Sequence, residues 1–333
     1  MRAWQYTATR GGLENNLKLN ASAPVPVPKD PSTQHVIQVL SVCLNPVDYK
    51  VAELIPSAML PKRSTPGIDF VGKVATAARE SRLVKGDTVF GIAALSPLAG
   101  GALADYVVVP MEGAAKLPPG VEPIDAATLG VAGLSAYQAI VPYVKAGDKI
   151  FINGGSGGVG IFSIQIAKNL GCYVITSCST ANINLCRTLG ADEVIDYKKG
   201  SVLEMLRKCG DFNHIVDNVG NDFQLYWQAH TYSGPSAKFV GVAGGPSLRH
   251  LAFATATRLW PGFLGGGRRQ FVSFLAQPKL HHLQQMGTWM AEGKIKAIID
   301  SKFPFDKALD AFRRLKTERA RGKIVINVAA ANS

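Results

Sequence analysis

Three glycines in one short turn carry the clearest chemical signal in this chain. Gly155, Gly157 and Gly160 fit G-x-G-x-x-G within residues 149–170, KIFINGGSGGVGIFSIQIAKNL. An apolar run typical of a buried strand precedes them, and apolar residues at helical spacing follow. A pyrophosphate needs close approach to the backbone and free amides at a helix N-terminus. The pattern therefore predicts a dinucleotide-binding turn, with an ordinary glycine-rich turn as the alternative; its residues are Gly155, Ser156, Gly157, Gly158, Val159 and Gly160.

The segments after this turn alternate between short apolar runs and helix-like or loop stretches. Such alternation is typical of right-handed crossovers and of a doubly wound parallel sheet in an α/β protein. The runs predicted as strands are residues 173–176, 193–196, 214–217, 238–242 and 270–275.

The second of these strands indicates which cofactor is preferred. A site for NAD usually places an acid about 20 residues beyond the glycine turn, but residues 161–191 contain none. The strand ends instead in hydroxyls, at Ser177, Ser179 and Thr180, and Tyr197 with two following lysines comes after the next strand. These groups suit a 2′-phosphate and predict NADPH over NADH, although the hydroxyls also suit helix capping.

Length and composition predict two domains. The chain has 333 residues, 47% of them hydrophobic, which is enough for a large core. Residues 1–120 contain short runs punctuated by proline and glycine, a pattern typical of a mostly β domain, which residues 298–333 are expected to complete. Residues 121–297 are expected to form the nucleotide-binding domain.

Charge and cysteine content narrow the function classes. The formal charge of +12 implies attraction to anions, for example a phosphorylated cofactor, a thioester carrier or an acidic surface. The five cysteines include no C-x-x-C pair, which favours reduced structural thiols. No apolar run of about 20 residues, signal region or groove-reading motif is visible, so we expect a cytoplasmic protein without a membrane span or nucleic-acid partner.

Several further segments accompany GGSGGVG, and together with it they resemble the medium-chain dehydrogenase/reductase superfamily, in its zinc-free quinone oxidoreductase and enoyl reductase branch. The chain is similar to fungal trans-acting enoyl reductases. The resemblance implies a GroES-like, mostly β domain split around a Rossmann NADP-binding domain, with the active site in the cleft between them. The matching segments are LNPVDYK at 44–50, PGIDFVGKV at 66–74, KGDTVFG at 85–91, GGALADYVVV at 100–109, LGADEVIDY at 189–197 and GKIVINV at 322–328.

The resemblance also bears on metal binding. Zinc-dependent relatives carry a Cys in the segment that here reads NPVDYK and a His in the segment that reads PGIDF. This chain has Asn45 at the first position and Ile68 and Asp69 at the second, so we predict no metal site. Without a Lewis acid, the implied substrate is an activated acceptor, either a quinone or an α,β-unsaturated carbonyl.

Roles for individual residues follow from the same resemblance. Lys50 stands where quinone reductases commonly carry Tyr, and it would donate to the substrate carbonyl or the nicotinamide ribose. Ser135 and Tyr137 are further catalytic candidates, whereas Ala136 departs from the Thr of fungal relatives. The additional cofactor contacts implied are Asn45, Asp48, Val242, Ala243, Phe271, Val272 and Lys323.

The predicted function is NADPH-dependent reduction of an activated carbon–carbon double bond by hydride transfer. An NADPH:quinone oxidoreductase and a non-catalytic nucleotide-binding protein associated with a carrier or membrane are the alternatives. Residues 247–267 are predicted to form either a lid over an apolar substrate or a surface helix. Basic residues near the C-terminus suggest an acyl carrier protein as a possible partner, and the family suggests a possible homodimer.

Overall fold

The computed structural model describes residues 1–56, 59–61, 63–93, 100–242, 248–273 and 276–329. Contacts divide the chain into two compact units, Met1–Leu134 with Gln277–Ser333 as unit 1 and Ser135–Ala276 as unit 2. Residues 121–134 and 277–297 thus count with unit 1 by contacts, whereas the sequence pattern groups them with the nucleotide domain. The sequence-based domain limits stay a prediction.

The strands are numbered in chain order. They are β1 Ala3–Gln5, β2 Lys18–Asn20, β3 Gln34–Leu44, β4 Asp69–Thr76, β5 Thr88–Ile92, β6 Tyr106–Pro110, β7 Ala114–Lys116, β8 Lys149–Asn153, β9 Tyr173–Cys178, β10 Glu193–Asp196, β11 Phe212–Asp217, β12 Ser233–Gly241, β13 Gln270–Ser273, β14 Ile299–Pro304 and β15 Lys323–Asn327.

The α-helices are numbered in the same way, and short 3₁₀ turns lie between several of them. They are α1 Val47–Leu54, α2 Pro123–Ala126, α3 Val131–Ile140, α4 Gly160–Asn169, α5 Ile183–Thr188, α6 Val202–Cys209, α7 Gln224–Trp227, α8 Leu248–Leu259, α9 Leu280–Ala291 and α10 Ala308–Lys316.

Unit 2 is built around a parallel sheet with strand order β10-β9-β8-β11-β12-β13. Its central strands are almost wholly buried, which explains their continuous apolar runs. The order proceeds outward from β8 in both directions, so the strand ends beside β8 and β11 form the switch point where α/β sheets bind ligands. The predicted doubly wound parallel sheet is confirmed.

Unit 1 contains a seven-stranded sheet in which β14-β15-β3-β4-β5-β7 follow one another and β6 also pairs with β3. All of its pairs except β14 with β15 are antiparallel. Because β15 pairs with β3, the C-terminal segment returns to the N-terminal β structure. Large apolar side chains such as Phe70 and Phe312 form the core of this unit.

The helical turns that run from α2 towards α3 are interrupted at Gly130. A Cβ at this glycine would overlap the Asp69 carboxylate, and the chain turns there before α3 begins. The interruption therefore makes room for a buried acid that forms part of the candidate site.

Of the helices in the described residues, none is long and apolar enough to cross a membrane.

Candidate active site

The turn between β8 and α4, predicted to bind a nucleotide, is packed closely around two of its three motif glycines. A Cβ at Gly155 would overlap the Thr176 hydroxyl, and a Cβ at Gly160 would overlap the carbonyl of Gly154. At Gly157, by contrast, the nearest atom would lie 3.5 Å from an added Cβ, an ordinary contact. Two glycines are thus required by the protein's own packing, while Gly157 leaves space for a group from outside.

Ser177 holds this turn in place from inside. Its buried hydroxyl donates to Asn153 Oδ1 at 2.5 Å and accepts from the Gly154 amide at 3.0 Å. Asn153 Nδ2 in turn donates to Asp217 Oδ1 at 2.8 Å. The network joins the ends of β8, β9 and β11, and sequence reasoning missed the contribution of Asn153 and Asp217. A polar residue at the end of a predicted parallel strand was the available signal.

The groups proposed for the 2′-phosphate lie at the ends of β9 and β10. Ser179 is half-buried and Thr180 is exposed, and the Thr180 hydroxyl donates to Asp196 Oδ2 at 2.6 Å. This hydrogen bond lowers the pKa of Asp196. Tyr197 is 49% exposed, and Lys198 Nζ lies 5.5 Å from the centroid of its ring. The structure therefore brings the predicted hydroxyls and cations to one edge, together with an acid that sequence reasoning had not weighed.

The other residues of unit 2 that were predicted to contact the cofactor differ in their solvent exposure. Val242 follows β12, and its amide donates to the carbonyl of Asp217 at 2.9 Å. Phe271 and Val272 are half-buried on the edge strand β13, and the Phe271 ring packs 5.2 Å from that of Phe253. Ala243 lies outside the described residues.

Unit 1 contains a buried cluster in the segments where the sequence resemblance implied the zinc ligands of zinc-dependent relatives. Lys323 Nζ donates to Asn45 Oδ1 at 2.5 Å and lies 3.6 Å from Asp69 Oδ2. Asn45 Nδ2 donates to the same Asp69 oxygen at 2.8 Å, and the backbone N–H of Asn45 donates to Asp48 Oδ2 at 2.6 Å. These four side chains are at most 3% exposed. The cluster therefore holds the Asn45 side chain through both ends of its amide group.

Burial shifts the pKa values of the charged groups in this cluster. Burial raises the pKa of Asp48 to about 7 and also raises that of Asp69. Burial lowers the pKa of Lys323, but Cys43, Asp69 and Asp48 together outweigh this effect and raise it. One ammonium thus faces two acids whose pKa values are both raised. Asp48 Oδ1 has no hydrogen-bond partner among the described residues. Sequence reasoning had not predicted that Lys323 would be so completely enclosed.

The three catalytic candidates occupy different surroundings. Lys50 lies on α1 with 43% of its side chain exposed and forms an ion pair with Glu318 at 3.4 Å. Ser135 is buried on α3, and Tyr137 is half-buried on the same helix, where burial raises its pKa. Since residues two apart on a helix do not face each other, Ser135 and Tyr137 point to different sides of α3.

The residues at the expected zinc positions do not fit a zinc ion. Both ends of the Asn45 amide are bonded, and the Lys323 ammonium beside it would repel a cation. Ile68 is buried and offers no ligand atom. Elsewhere in the described part of the chain, no group of three or more His, Cys, Asp or Glu side chains could hold a metal.

Several cations of the basic C-terminal segment are neutralised within the protein. Arg314 binds both oxygens of Asp300 at 2.6 and 2.9 Å. Lys316 pairs with Glu53 at 2.5 Å and also with Glu14. This pairing reduces the charge available to an anionic partner, and docking of an acyl carrier stays a prediction.

Comparison with known families and structures agrees with this geometry. Residues 31–119 match the alcohol dehydrogenase GroES-like domain, and residues 189–326 match the zinc-binding dehydrogenase family. The chain is 42% identical to the trans-enoyl reductase pgmF of Aspergillus terreus, covering 98% of this chain and 96% of that protein. It is 31% identical to a chloroplastic quinone-oxidoreductase homolog of Spinacia oleracea, covering 98% of each.

Solved structures show the same architecture. The quinone oxidoreductase from Coxiella burnetii has a TM-score of 0.83 and 28% identity, with 99% of each chain covered. The CurK enoyl reductase has a TM-score of 0.80 at 19% identity, covering 98% of this chain and 99% of the other, which supports the fold alone.

The family matches and these relatives define an oxidoreductase that uses a nicotinamide cofactor. The chain belongs to the medium-chain dehydrogenase/reductase superfamily, as its sequence segments had predicted.

Proposed function

We propose that this protein is an NADPH-dependent, zinc-independent reductase of activated carbon–carbon double bonds, acting on an enoyl thioester or an enone. The observation that carries this proposal is the buried Asn45–Asp69–Lys323 cluster, which lies in the segments where the resemblance implies the metal ligands of zinc-dependent relatives. The relative at 42% identity is named a trans-enoyl reductase, which supports the same substrate class.

The chemistry follows from the residues that replace the zinc ligands. Without a Lewis acid, a simple ketone is poorly polarised, whereas a conjugated carbonyl is already electrophilic at its β-carbon. Bound NADPH would supply the hydride. Negative charge would then develop on the carbonyl oxygen, where the Lys50 ammonium is proposed to donate a hydrogen bond. Ser135 and Tyr137 remain candidates for assisting this step or for supplying the final proton.

NADPH is proposed over NADH because hydroxyls and lysines meet at the ends of β9 and β10. Thr180 is exposed there, and Tyr197 and Lys198 lie on the neighbouring strand end. A 2′-phosphate would gain charge-assisted hydrogen bonds from such groups. The Asp196 carboxylate would repel a 2′-phosphate, although its negative charge is partly compensated by the hydrogen bond that it accepts from the Thr180 hydroxyl.

Quinone reduction is the second candidate, favoured by the similarity to the quinone oxidoreductase from Coxiella burnetii. It differs in needing no precisely placed proton donor. A non-catalytic nucleotide-binding protein would bind NADPH and turn over neither substrate class.

The deciding experiment is NADPH oxidation by the purified protein with medium-chain enoyl thioesters, free enones and quinones. Parallel reactions contain NADH or a zinc chelator. We expect turnover of enoyl compounds with NADPH and no effect of the chelator. Turnover of quinones alone would replace the proposal with its alternative, and tight NADPH binding without turnover would overturn catalysis altogether.

A further inference from the structure

Asn182 stands at the N-terminus of α5 but does not cap this helix. Asparagine is a preferred residue at such a position, because its Oδ1 can accept a hydrogen bond from a free backbone N–H of the first helical turn. Asn182 directly precedes α5, yet its side chain forms no capping bond. Its Oδ1 is shielded from solvent and has no hydrogen-bond partner among the described residues. Helix capping therefore does not explain this side chain.

The Asn182 side chain instead contacts the turn between β8 and α4. Its Nδ2 donates to Ser156 Oγ at 3.0 Å, across 26 positions of sequence. Ser156 lies between Gly155 and Gly157 of the glycine motif. The hydrogen bond thus joins the segment after β9 to the turn that is predicted to bind the cofactor diphosphate.

The direction of this hydrogen bond leaves the Ser156 hydrogen free to be donated. An amide NH₂ group can only donate, whereas a hydroxyl has one hydrogen to donate and lone pairs that accept. The Ser156 oxygen accepts from Asn182, and within the described part of the chain the structure gives its hydrogen no acceptor. Ser156 is only half-buried, so a ligand can reach it. A phosphate oxygen is a strong acceptor for such a hydroxyl.

The lack of charge on Asn182 suits an anionic ligand. A carboxylate in its place would accept the Ser156 hydrogen and would repel a phosphate group. Residues 161–191 contain no Asp or Glu. Asp196, which reaches the same edge of the sheet, accepts a hydrogen bond from Thr180 at 2.6 Å. The Ser156 hydrogen therefore has no acidic competitor from the segment that holds it.

We propose that Asn182 is a positioning residue for the cofactor, which holds the Ser156 hydroxyl so that its hydrogen is donated to a phosphate oxygen of NADPH. This inference rests on the proposed function, because it takes NADPH as the ligand of the turn. The phosphate is either the diphosphate beside the glycine motif or the 2′-phosphate beside the end of β9. Holding Ser156 leaves the buried Oδ1 of Asn182 unpaired, which is unfavourable for stability and points to a role in binding.

The test measures binding of NADPH and NADH to the purified protein by isothermal titration calorimetry. Ser156→Ala should weaken NADPH binding about tenfold, because a hydrogen bond to a charged phosphate is lost. Asn182→Ala should weaken it about fivefold, since the hydroxyl is kept but is no longer held. The double variant should bind no more weakly than Ser156→Ala, because Asn182 acts through Ser156. A similar loss with NADH assigns the diphosphate, and a loss with NADPH alone assigns the 2′-phosphate.

Thermal unfolding without cofactor separates this role from a structural one. Asn182→Ala removes a buried unpaired oxygen and no capping bond, so the melting temperature should be unchanged or higher. Asn184→Ala is the matched control, because Asn184 is exposed on α5 two positions further along. It should change neither binding nor stability. Asn182→Asp should weaken NADPH binding more than Asn182→Ala, since the carboxylate accepts the Ser156 hydrogen and repels phosphate.

Three results would overturn the inference. They are unchanged NADPH binding by Asn182→Ala, additive losses in the double variant, and a loss of binding that Asn184→Ala matches or that a lower melting temperature accompanies. Wild-type protein that binds neither cofactor would reject the proposed function together with this inference. Wild-type protein that binds NADPH no better than Asn182→Ala does would reject the inference alone.

Discussion

At the scale of single residues, Lys50 is the most informative test of the proposed chemistry. The Lys50→Met variant should lose about tenfold or more in kcat with enones, because the donor to the developing oxyanion is removed. Quinone turnover should be nearly unchanged. Steady-state kinetics with both substrate classes measures the effect.

Glu318 offers a matched control for Lys50. The Glu318→Gln variant breaks the same 3.4 Å ion pair but keeps the ammonium. It should therefore retain enone turnover, because the proposed donor is still present. The fold should also be retained, since an exposed ion pair contributes little to stability. If Glu318→Gln and Lys50→Met reduced enone turnover equally, the ion pair and not the ammonium would be responsible.

The buried ion pair of Asp69 and Lys323 predicts a large effect on stability. The Asp69→Asn variant leaves the Lys323 ammonium buried beside fewer compensating charges and should cost about 3 kcal/mol of unfolding free energy. Adding Lys323→Met should restore part of this loss, because the isolated charge is removed. Urea unfolding of the single and double variants measures the coupling; strictly additive losses would mean that the two side chains do not interact.

At the scale of elements, different glycines of the turn between β8 and α4 are expected to serve packing and cofactor binding. Gly155→Ala and Gly160→Ala should destabilise the fold by about 1–3 kcal/mol, because each added methyl group overlaps a neighbouring atom. Gly157→Ala should leave stability nearly unchanged, since its Cβ makes only an ordinary contact, but should weaken NADPH binding. Calorimetry with and without NADPH distinguishes the two effects. Equal destabilisation by all three would contradict this division of roles.

The lysines that follow β10 are expected to determine the preference for NADPH over NADH. Replacing Lys198 and Lys199 by Ala should lower kcat/KM for NADPH about tenfold and leave that for NADH unchanged, because only NADPH carries the 2′-phosphate. Lys208→Ala, an exposed change on α6, serves as the control for lost charge. A parallel loss with both cofactors would place the lysines away from the phosphate.

At the scale of the whole molecule, a buried histidine predicts acid sensitivity. His214 is fully buried, its Nε2 lies 2.7 Å from the Ala139 carbonyl, and burial lowers its pKa from 6.5 to about 4. Between these values the unfolded chain binds a proton that the folded chain does not. The free energy of unfolding is therefore not reduced by His214 above pH 6.5. As the pH falls towards 4, protonation of the unfolded chain reduces it by up to about 3 kcal/mol.

The contribution of His214 can be isolated by comparison with His214→Gln. Asp48 acts in the opposite sense, because its raised pKa makes the folded state hold a proton that the unfolded state releases between pH 3.8 and about 7. Stability from Asp48 thus falls as the pH rises. Chemical unfolding from pH 4 to 7 should show a smaller acid loss for His214→Gln than for the wild type; identical profiles would exclude His214 as the cause.

Local sequence patterns determined the nucleotide half of this protein well. The run at 193–196 coincides with β10, and 214–217 lies within β11. Parallel strands buried on both faces must be continuously apolar, and a pyrophosphate-binding turn must be rich in glycine. Both requirements act on neighbouring residues, so they are visible without any knowledge of tertiary contacts. The types of residue at Asn45 and Ile68 likewise led to the prediction of no zinc site, because neither is a usual zinc ligand.

Only the tertiary structure decided what individual polar side chains contact. Lys323 meets Asn45 across 278 positions of sequence, and Lys50 meets Glu318 across 268. Ser177 turns inward to hold the Gly154 amide and Asn153, although its position alone suited a phosphate contact equally well. Hydrophobic periodicity records which face of an element is buried, but it carries no information about which distant group a buried polar atom will bind.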